Sequence, residues 1–365
     1  CLVGSEMCIR DRCLMFKHLL TILVALMLWV PNFASATDPK VAFIYVGPVG
    51  DGGWTYAHDL GRRHLEKMGV ETTYVESVPE TDSERVLRNL ARRGYDIIFT
   101  TSFGYMDPTL NVAKQFPDTI FMHASGFRTH DNMGNYFARM YQARYLVGMV
   151  AGMMTKTDNI GIIGSHPIPE IIRHINAFTL GVRSVNPKAT TQVIWVNSWF
   201  DPAKEGAAAN SLMDNGADIV TITTDSAAAT QTAAKRGLYS IGNDSDMTLY
   251  GPEAHLTANI FNWGIYYEHV YNQVKNGTWK PSSDWWGIET GAVDISPFGK
   301  MVPKNIQDMV MAKKEEIASG KFVVFKGPIK GQDGSTAIAA GVVPSDQDLL
   351  SMMYYVEGVV GDIPQ

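Results

Sequence analysis

The sequence predicts an α/β protein with two lobes, each built around a doubly wound parallel sheet. Short apolar runs alternate with longer amphipathic stretches, and the alternation starts twice, at Val41 and again at Asn159. Buried, nearly continuous apolar strands separated by helices indicate parallel sheets that are covered on both faces. The chain of 365 residues, 45% of them hydrophobic, is long enough for two such units.

The first unit is predicted from short runs that are rich in β-branched and aromatic residues and bounded by Gly, Pro or Asp. These runs predict strands at 41–46, 72–75, 96–101 and 119–123, with helical spacing at 55–68, 83–93 and 108–115. The second unit repeats the pattern, with strands at 160–164, 191–196, 218–223 and 239–242 and helices at 169–185, 202–215 and 227–236. A further helix is expected at 346–356.

The two units predict the organisation of the whole chain. We expect an N-terminal lobe at 37–157 and about 246–282, a C-terminal lobe at 158–245 and about 283–340, and a helical tail at 341–365. Ligands of open parallel sheets bind beyond the carboxyl ends of the strands. The strand-end loops of both lobes are therefore expected to face one cleft.

The first 36 residues read as a leader rather than as part of the fold. From Met15 the chain has a charged start, an apolar run at 19–30 and the small residues Ala34-Ser35-Ala36, which is the plan of a signal peptide cleaved after Ala36. A membrane anchor is the alternative, but Pro31 ends the apolar run short of the roughly 20 residues that a span needs. Thr37 stands where a lipoprotein needs Cys, so we expect a periplasmic protein without a lipid anchor or stable membrane insertion.

Residues 1–14 precede the expected initiator Met15 and are interpreted as non-native sequence. They contain Cys1, Cys8 and Cys13, and the chain after Met15 has no cysteine. The exported chain therefore depends on a large core rather than on disulfides.

Composition and motifs exclude several classes of function. Acidic residues outnumber basic ones 37 to 31 without a long basic run, which argues against nucleic-acid binding. The chain contains no P-loop, no G-x-S-x-G and no H-E-x-x-H, and its glycine-rich loop at 50–55 has Thr55 where a dinucleotide fingerprint needs Gly. We expect no enzymatic activity, no cofactor and no metal.

Each lobe carries a tryptophan at a strand end, beside an aspartate. Trp54 follows the first strand and Trp199 follows the strand at 191–196. Two opposed aromatic faces suit a flat ligand, since offset stacking contributes about 0.5–1.5 kcal/mol per pair. Core packing is the alternative for both residues. Asp225 also has two readings, because it either faces the cleft or caps the following helix.

The order and spacing of several motifs resemble one family. The motifs are GDGGW at 50–54, FPDTIF at 116–121, YLVG at 145–148, FDPAK at 200–204, NGADIV at 215–220, IGNDSD at 241–246 and FKGPI at 325–329. The chain resembles the basic membrane protein family, the purine nucleoside receptor group of ABC transporter substrate-binding proteins, over nearly all of 41–364. The resemblance implies a type I periplasmic-binding fold with two lobes joined by a hinge, a purine ligand, and permease and ATPase partners.

By matching position, the resemblance implies that Trp54 and Trp199 hold the purine and that Asp244 takes ribose hydroxyls. Phe261 stands where the family usually has a sugar-binding Lys, and Thr55 replaces the Asn that commonly follows the stacking aromatic. These departures favour a free base such as adenine over a nucleoside.

The remaining ligand-binding candidates are the edge readers Asp51, Asp225 and Asn176, together with Gly53 and Phe103. We expect a monomer that closes around its ligand by a hinge motion. A secreted nucleosidase in which Asp51 acts on a ribosyl bond, and a sensory module without a transporter, remain alternatives.

Overall fold

The structure is a computed structural model that describes residues 38–364. The expected leader, signal peptide and cleavage after Ala36 lie outside the described residues. Within 38–364, every helix is too short or too polar to cross a membrane.

The elements of this part of the chain alternate as the sequence predicts. The strands are β1 (Val41–Ile44), β2 (Thr72–Val75), β3 (Ile97–Thr100), β4 (Ile120–Ala124), β5 (Met133–Ala138), β6 (Asn159–Gly164), β7 (Thr190–Trp195), β8 (Ile219–Ile222), β9 (Tyr239–Asp244), β10 (His255–Phe261), β11 (Ser283–Trp286), β12 (Val293–Ile295), β13 (Ile329–Lys330), β14 (Thr336–Ile338) and β15 (Val359–Val360). The helices are α1 (Trp54–Lys67), α2 (Ser83–Arg92), α3 (Met106–Ala113), α4 (Tyr141–Met154), α5 (Pro169–Val185), α6 (Pro202–Asp214), α7 (Ala228–Arg236), α8 (Trp263–Lys275), α9 (Lys304–Ala318) and α10 (Asp346–Leu350).

These strands form two large sheets, which define a first and a second lobe. The first sheet has the order β2-β1-β3-β4-β5-β11, with every pair parallel. The second has the order β15-β7-β6-β8-β9-β10-β12, and only β12 is antiparallel to its neighbour. In both sheets the strand order reverses beside the lobe's first strand, between β1 and β3 and between β6 and β8. Such switch points are where doubly wound sheets bind ligands.

The core explains why the strands are parallel and apolar. β1, β3 and β8 are buried along their whole length, because helices cover both faces of each sheet. Helices α4 and α5 pack with nearly touching backbones: a Cβ at Gly148 would lie 2.2 Å from the carbonyl oxygen of Phe178, and one at Gly181 would lie 2.0 Å from that of Tyr145. Glycine is required at both positions by this close approach.

The lobe boundaries differ from the predicted ones in three places. Helix α4 packs on α5 in the second lobe, although 37–157 was assigned to the first. Strand β10 continues the second sheet beside β9, and β11 joins the first sheet beside β5, so the assignments of 246–282 and 283–340 are reversed at these strands. The lobe of β10 and of β11 is decided by the strand with which each one's backbone pairs. The C-terminal helix is also shorter than 346–356, since α10 ends at Leu350.

Candidate functional site

A cleft of about 410 Å³ lies where the switch points of the two sheets meet. Its walls come from the loops that follow strands of both lobes and from the first turns of helices α1 and α5. The first lobe contributes Val46, Trp54, Glu80, Thr101, Ser102, Phe103, Gly104 and Ser125, and the second contributes His166, Pro167, Ile168, Glu170, Ile171, His174, Trp199, Thr223, Asp225, Asn243 and Asp244. This volume falls in the range of small-molecule sites.

Trp54 forms the aromatic wall of the first lobe. Its Nε1 donates a hydrogen bond of 2.6 Å to the carbonyl oxygen of Thr101, so the indole has no free donor for a ligand. The rings of Phe261 and Trp263 contact Trp54 edge to face, with centroids at 5.4 and 5.9 Å. Phe261 therefore supports Trp54 from behind and does not line the cleft, although it occupies the place of the family Lys.

Trp199 provides an aromatic side chain on the opposite lobe. It is 39% exposed and lies 4.8 Å, centroid to centroid, from the ring of His166. Phe103 of the first lobe is 56% exposed and also lines the cleft. Trp54, Phe103 and Trp199 thus line the same cleft.

Asp225 and Asp244 lie in the cleft wall at the ends of β8 and β9. Both are buried, and burial raises the pKa of Asp244 to about 8 and that of Asp225 well above its usual range. The neighbouring charge of Asp51 raises the pKa of Asp225 further, whereas Arg144 lowers that of Asp244. Asp225 lines the cleft and does not cap α7, where the Ser226 hydroxyl accepts from the Ala228 amide instead. Asp244 has a positive φ of 65° beside the cleft, a strained conformation typical of functional sites.

Glu170 and His174 stand one turn apart on α5 and form a polar wall of the second lobe. Burial raises the pKa of Glu170 to about 7 and lowers that of His174 well below its usual value. The Nε2 atom of His174 is buried without a hydrogen-bond partner among the described residues. Glu170 makes no ion pair with Arg173, contrary to the i,i+3 pairing that their spacing allows, because Arg173 donates to the carbonyl of Leu349.

Two of the expected base-reading residues have other partners. Asp51 is buried and accepts hydrogen bonds of 2.9 Å from the amides of Gly53, Thr55 and Tyr56, so it caps the start of α1. Asp51 is not among the residues that line the cleft.

Asn176 lies on α5 outside the cleft lining and holds the C-terminal segment. Its Nδ2 donates to the carbonyl of Tyr354 at 2.7 Å, and its Oδ1 accepts from the amide of Val356 at 3.0 Å. The placement corrects the expectation for this residue, since both ends of its side-chain amide are already used.

Gly53 lies where the two lobes touch across the cleft. A Cβ on Gly53 would lie 2.5 Å from the Cα and 2.6 Å from the carbonyl oxygen of Asp225. Next to this contact, the Ser245 hydroxyl donates a hydrogen bond of 2.5 Å to the carbonyl oxygen of Gly52. Gly53 is therefore a lobe-contact residue, and its missing side chain permits the approach.

The ionisable side chains of the cleft are mainly carboxyl groups, and burial raises the pKa of most of them. Four carboxylic side chains line the cleft, those of Glu80, Glu170, Asp225 and Asp244, and neither Lys nor Arg is among the lining residues. Within 38–364, no group of three or more His, Cys, Asp or Glu side chains has the arrangement of a metal site. The arrangement can accept several hydrogen bonds from a ligand and disfavours an anionic one.

Sequence reasoning missed the α5 side of the cleft, including His166, Glu170 and His174. The loop after β6 opens the second lobe as the loop after β1 opens the first, so a search of both first-strand loops would have found His166. Glu170 and His174 could not be predicted as cleft residues, because the sequence does not show which face of α5 is turned toward the cleft.

Comparisons with known proteins agree with this architecture. A family model described as "ABC transporter substrate-binding protein PnrA-like" matches residues 38–332. A purine-binding protein of Brucella abortus is 50% identical over 330 residues, covering 89% of this chain and 94% of the relative. A putative ABC transporter glucose-binding protein of Haloferax volcanii is 40% identical over 328 residues, covering 89% of this chain and 81% of the relative.

Solved structures support the fold. An ABC transporter solute-binding protein of Conexibacter woesei has a TM-score of 0.67 at 24% identity, covering 78% of this chain and 98% of its own. One of Aeropyrum pernix has a TM-score of 0.68 at 19% identity, covering 85% and 95%. The expected type I periplasmic-binding fold with two doubly wound lobes is confirmed by this likeness.

Proposed function

The chain belongs to the Bmp family of PnrA-like ABC transporter substrate-binding proteins, and we propose that it binds a purine between Trp54 and Trp199. Members of this family are binding proteins and not enzymes, and they work outside the cytoplasm for ABC importers. The observation that carries the proposal is the placement of two tryptophans from opposite lobes in one cleft.

The contacts of Trp54 support stacking as its role. Because its Nε1–H is already bonded to Thr101, the indole can offer a ligand only its apolar surface. Phe261 and Trp263 fix the ring from behind by edge-to-face contacts. A rigid indole face stacks on a flat ring with little further loss of side-chain entropy. The relative from Brucella, whose name gives purine binding, is consistent with such a ligand.

A free base such as adenine is favoured over a nucleoside. The family Lys that reaches the sugar is replaced by Phe261, and no other Lys or Arg lines the cleft. Asp244 remains available for ribose hydroxyls, so a nucleoside is the second candidate. The base edge is expected to be read by Asp225 and its polar neighbours, because a mismatched buried donor or acceptor costs about 1–3 kcal/mol.

Ligand capture is proposed to occur by closure of the two lobes about a hinge between them. The contacts of Gly53 with Asp225 and of Ser245 with Gly52 are made between lobes and would be lost on opening. The closed, loaded form would then be delivered to a membrane permease driven by an ATPase. Cleavage after Ala36, release into the periplasm without a lipid anchor, and a monomeric state belong to the same proposal.

Glucose is the competing ligand. It is favoured by the name of the relative from Haloferax and by the carboxylic side chains of the cleft, which suit sugar hydroxyls. A sensory role without a transporter is a further alternative. It is distinguished from a role in import by whether permease and ATPase genes lie next to the gene of this protein.

Isothermal titration of the purified protein with adenine, adenosine and glucose tests the proposal. We expect adenine to bind most tightly and glucose to give no binding heat. Tighter binding of adenosine would contradict the preference for a free base, and binding of glucose alone would contradict the purine site. Incubation with adenosine or inosine should release no free base, as expected for a binding protein.

A further inference from the structure

Two arginines lie buried behind the polar wall of the cleft. Arg144 on α4 is 1% exposed and donates to Thr221 Oγ1, to the carbonyl of Ile222 and to Asn243 Oδ1. Arg173 on α5 is also 1% exposed and donates to the carbonyl of Leu349. The Nε atom of each is buried without a partner, and neither guanidinium forms an ion pair within 38–364.

Carboxyl groups offset part of the charge of these arginines, those of Glu170 and Asp244 from the cleft and that of Asp346 from outside it. Both Arg144 and Arg173 act electrostatically on Glu170, and Arg144 also acts on Asp244. A buried cation is costly unless an opposite charge offsets it. The buried arginines therefore explain why an acidic residue stands at position 170. Glu170 also lines the cleft, where a ligand would bind.

We propose that Glu170 contacts the ligand and donates a hydrogen bond to an acceptor nitrogen of the purine ring, which makes it a specificity-determining residue. The inference rests on the proposed purine binding and adds a residue to that site.

The side-chain donors of the cleft that are free for a ligand are few: the imidazoles of His166 and His174 and the protonated forms of Glu170, Asp225 and Asp244. A purine ring presents unprotonated nitrogens that each need a donor. Trp54 Nε1 is occupied by Thr101, and the Nδ2 of Asn243 donates to the carbonyl of Thr224. With no Lys or Arg in the lining, a protonated carboxyl group is a strong remaining donor.

The groups that face Glu170 determine its protonation. They are Arg144 on α4, Arg173 on its own helix and Asp244 at the end of β9, while His174, one turn along α5, is neutral because burial lowers its pKa. Burial raises the pKa of Glu170 to about 7, and the two arginines moderate that rise. A flat apolar ligand that displaces water from this carboxyl group favours its neutral form further. Binding is then linked to uptake of a proton, and affinity falls as the pH rises through 7.

The size of the change in affinity with pH follows from the pKa of Glu170 in the ligand-free protein. If only the protonated form binds, a group whose pKa is about 7 loses about tenfold in affinity between pH 6 and pH 8. At pH 7 about half of the molecules would take up a proton on binding. Adenine itself stays uncharged between pH 6 and pH 8, so the change of affinity with pH reflects a titrating group of the protein.

The test is isothermal titration with adenine at pH 6, 7 and 8, in two buffers of different ionisation enthalpy. We expect the wild type to lose about tenfold in affinity over this range. Glu170→Gln should hold the pH 6 affinity within about threefold and change by less than about threefold up to pH 8, since an amide remains a donor without titrating. The control Glu71→Gln removes an exposed carboxylate that pairs with Lys40 outside the cleft, and it should keep the wild-type slope.

A second measurement uses adenine analogues in which one ring nitrogen is replaced by carbon. One of the 1-, 3- and 7-deaza compounds should bind more weakly and lose the pH dependence. Purine binding with no pH slope in the wild type, or a full slope in Glu170→Gln, would overturn the role of Glu170 and leave purine binding intact. Absence of any purine binding would overturn both.

Discussion

The contact between Gly53 and Asp225 offers a direct test of lobe closure. In Gly53→Ala the added methyl group would lie 2.5 Å from the Cα of Asp225, about 1 Å inside the ~3.5 Å at which carbon atoms come into contact. The methyl group also meets the carbonyl oxygen of Asp225 at 2.6 Å, so it cannot escape by a side-chain rotation of Asp225.

The magnitude follows from the cost of overpacking. Forcing one extra methyl group into a close-packed contact costs about 1–3 kcal/mol. If the contact exists only when the lobes are closed, the whole cost falls on the bound state and weakens binding by about 5- to 150-fold. The fold of each lobe keeps its stability, because the open form leaves the methyl group in solvent.

Gly50→Ala is the matched control in the same loop. A Cβ on Gly50 meets no atom within 4 Å, so this variant should bind as the wild type does. The assay is isothermal titration with adenine beside thermal unfolding of the ligand-free protein. Unchanged affinity in Gly53→Ala, or an equal loss in Gly50→Ala, would refute the role of this contact. A large drop in the melting temperature of ligand-free Gly53→Ala would instead make the contact part of the fold.

Three further predictions concern the cleft and its surroundings. Trp54→Ala and Trp199→Ala should each weaken adenine binding at least about tenfold without unfolding the protein, because stacking and apolar burial are lost together; unchanged affinity would remove that residue from the site. Asn176→Ala should destabilise the protein by about 1–3 kcal/mol in denaturant unfolding, since it strands the amide of Val356, and should leave adenine affinity intact; a change in affinity would return Asn176 to the site. Asp244→Asn should stabilise the ligand-free protein more as the pH rises. Burial raises the pKa of Asp244 to about 8, above its unfolded value near 4, so the native state loses stability as the pH rises through this window. An equal shift of the melting temperature at pH 5 and pH 8 would contradict this reasoning.

The two sheets could be predicted from the sequence because their strands are short and apolar. Strand β2 and helix α5 have the predicted bounds, and most other elements differ by one or two residues. The exchange of β10 and β11 between lobes could not be predicted, since it depends on which sheet edge is free to accept a strand. The sequence DWW in β11 carries no local signal that distinguishes one sheet from the other.

The aromatic side chains of the cleft could be predicted, and the polar ones could be predicted only in part. Trp54 and Trp199 follow strand ends, and position at a strand end places a residue near the switch point. Asp51 follows a strand as well, but it accepts three amide hydrogen bonds at the start of α1, and local capping of this kind competes with ligand contact. The spacing of Glu170 from Arg173 is that of an ordinary i,i+3 helix pair, and it does not reveal that Arg173 bonds to Leu349 instead.

A crystal structure of the protein with bound adenine tests the central claim most directly. We predict one adenine in the cleft, stacked between the indoles of Trp54 and Trp199. The distance from the centroid of the adenine ring to the centroid of each indole should be about 4.5–7 Å. Adenine bound at another surface, or in the cleft without contact to either indole, would contradict the account.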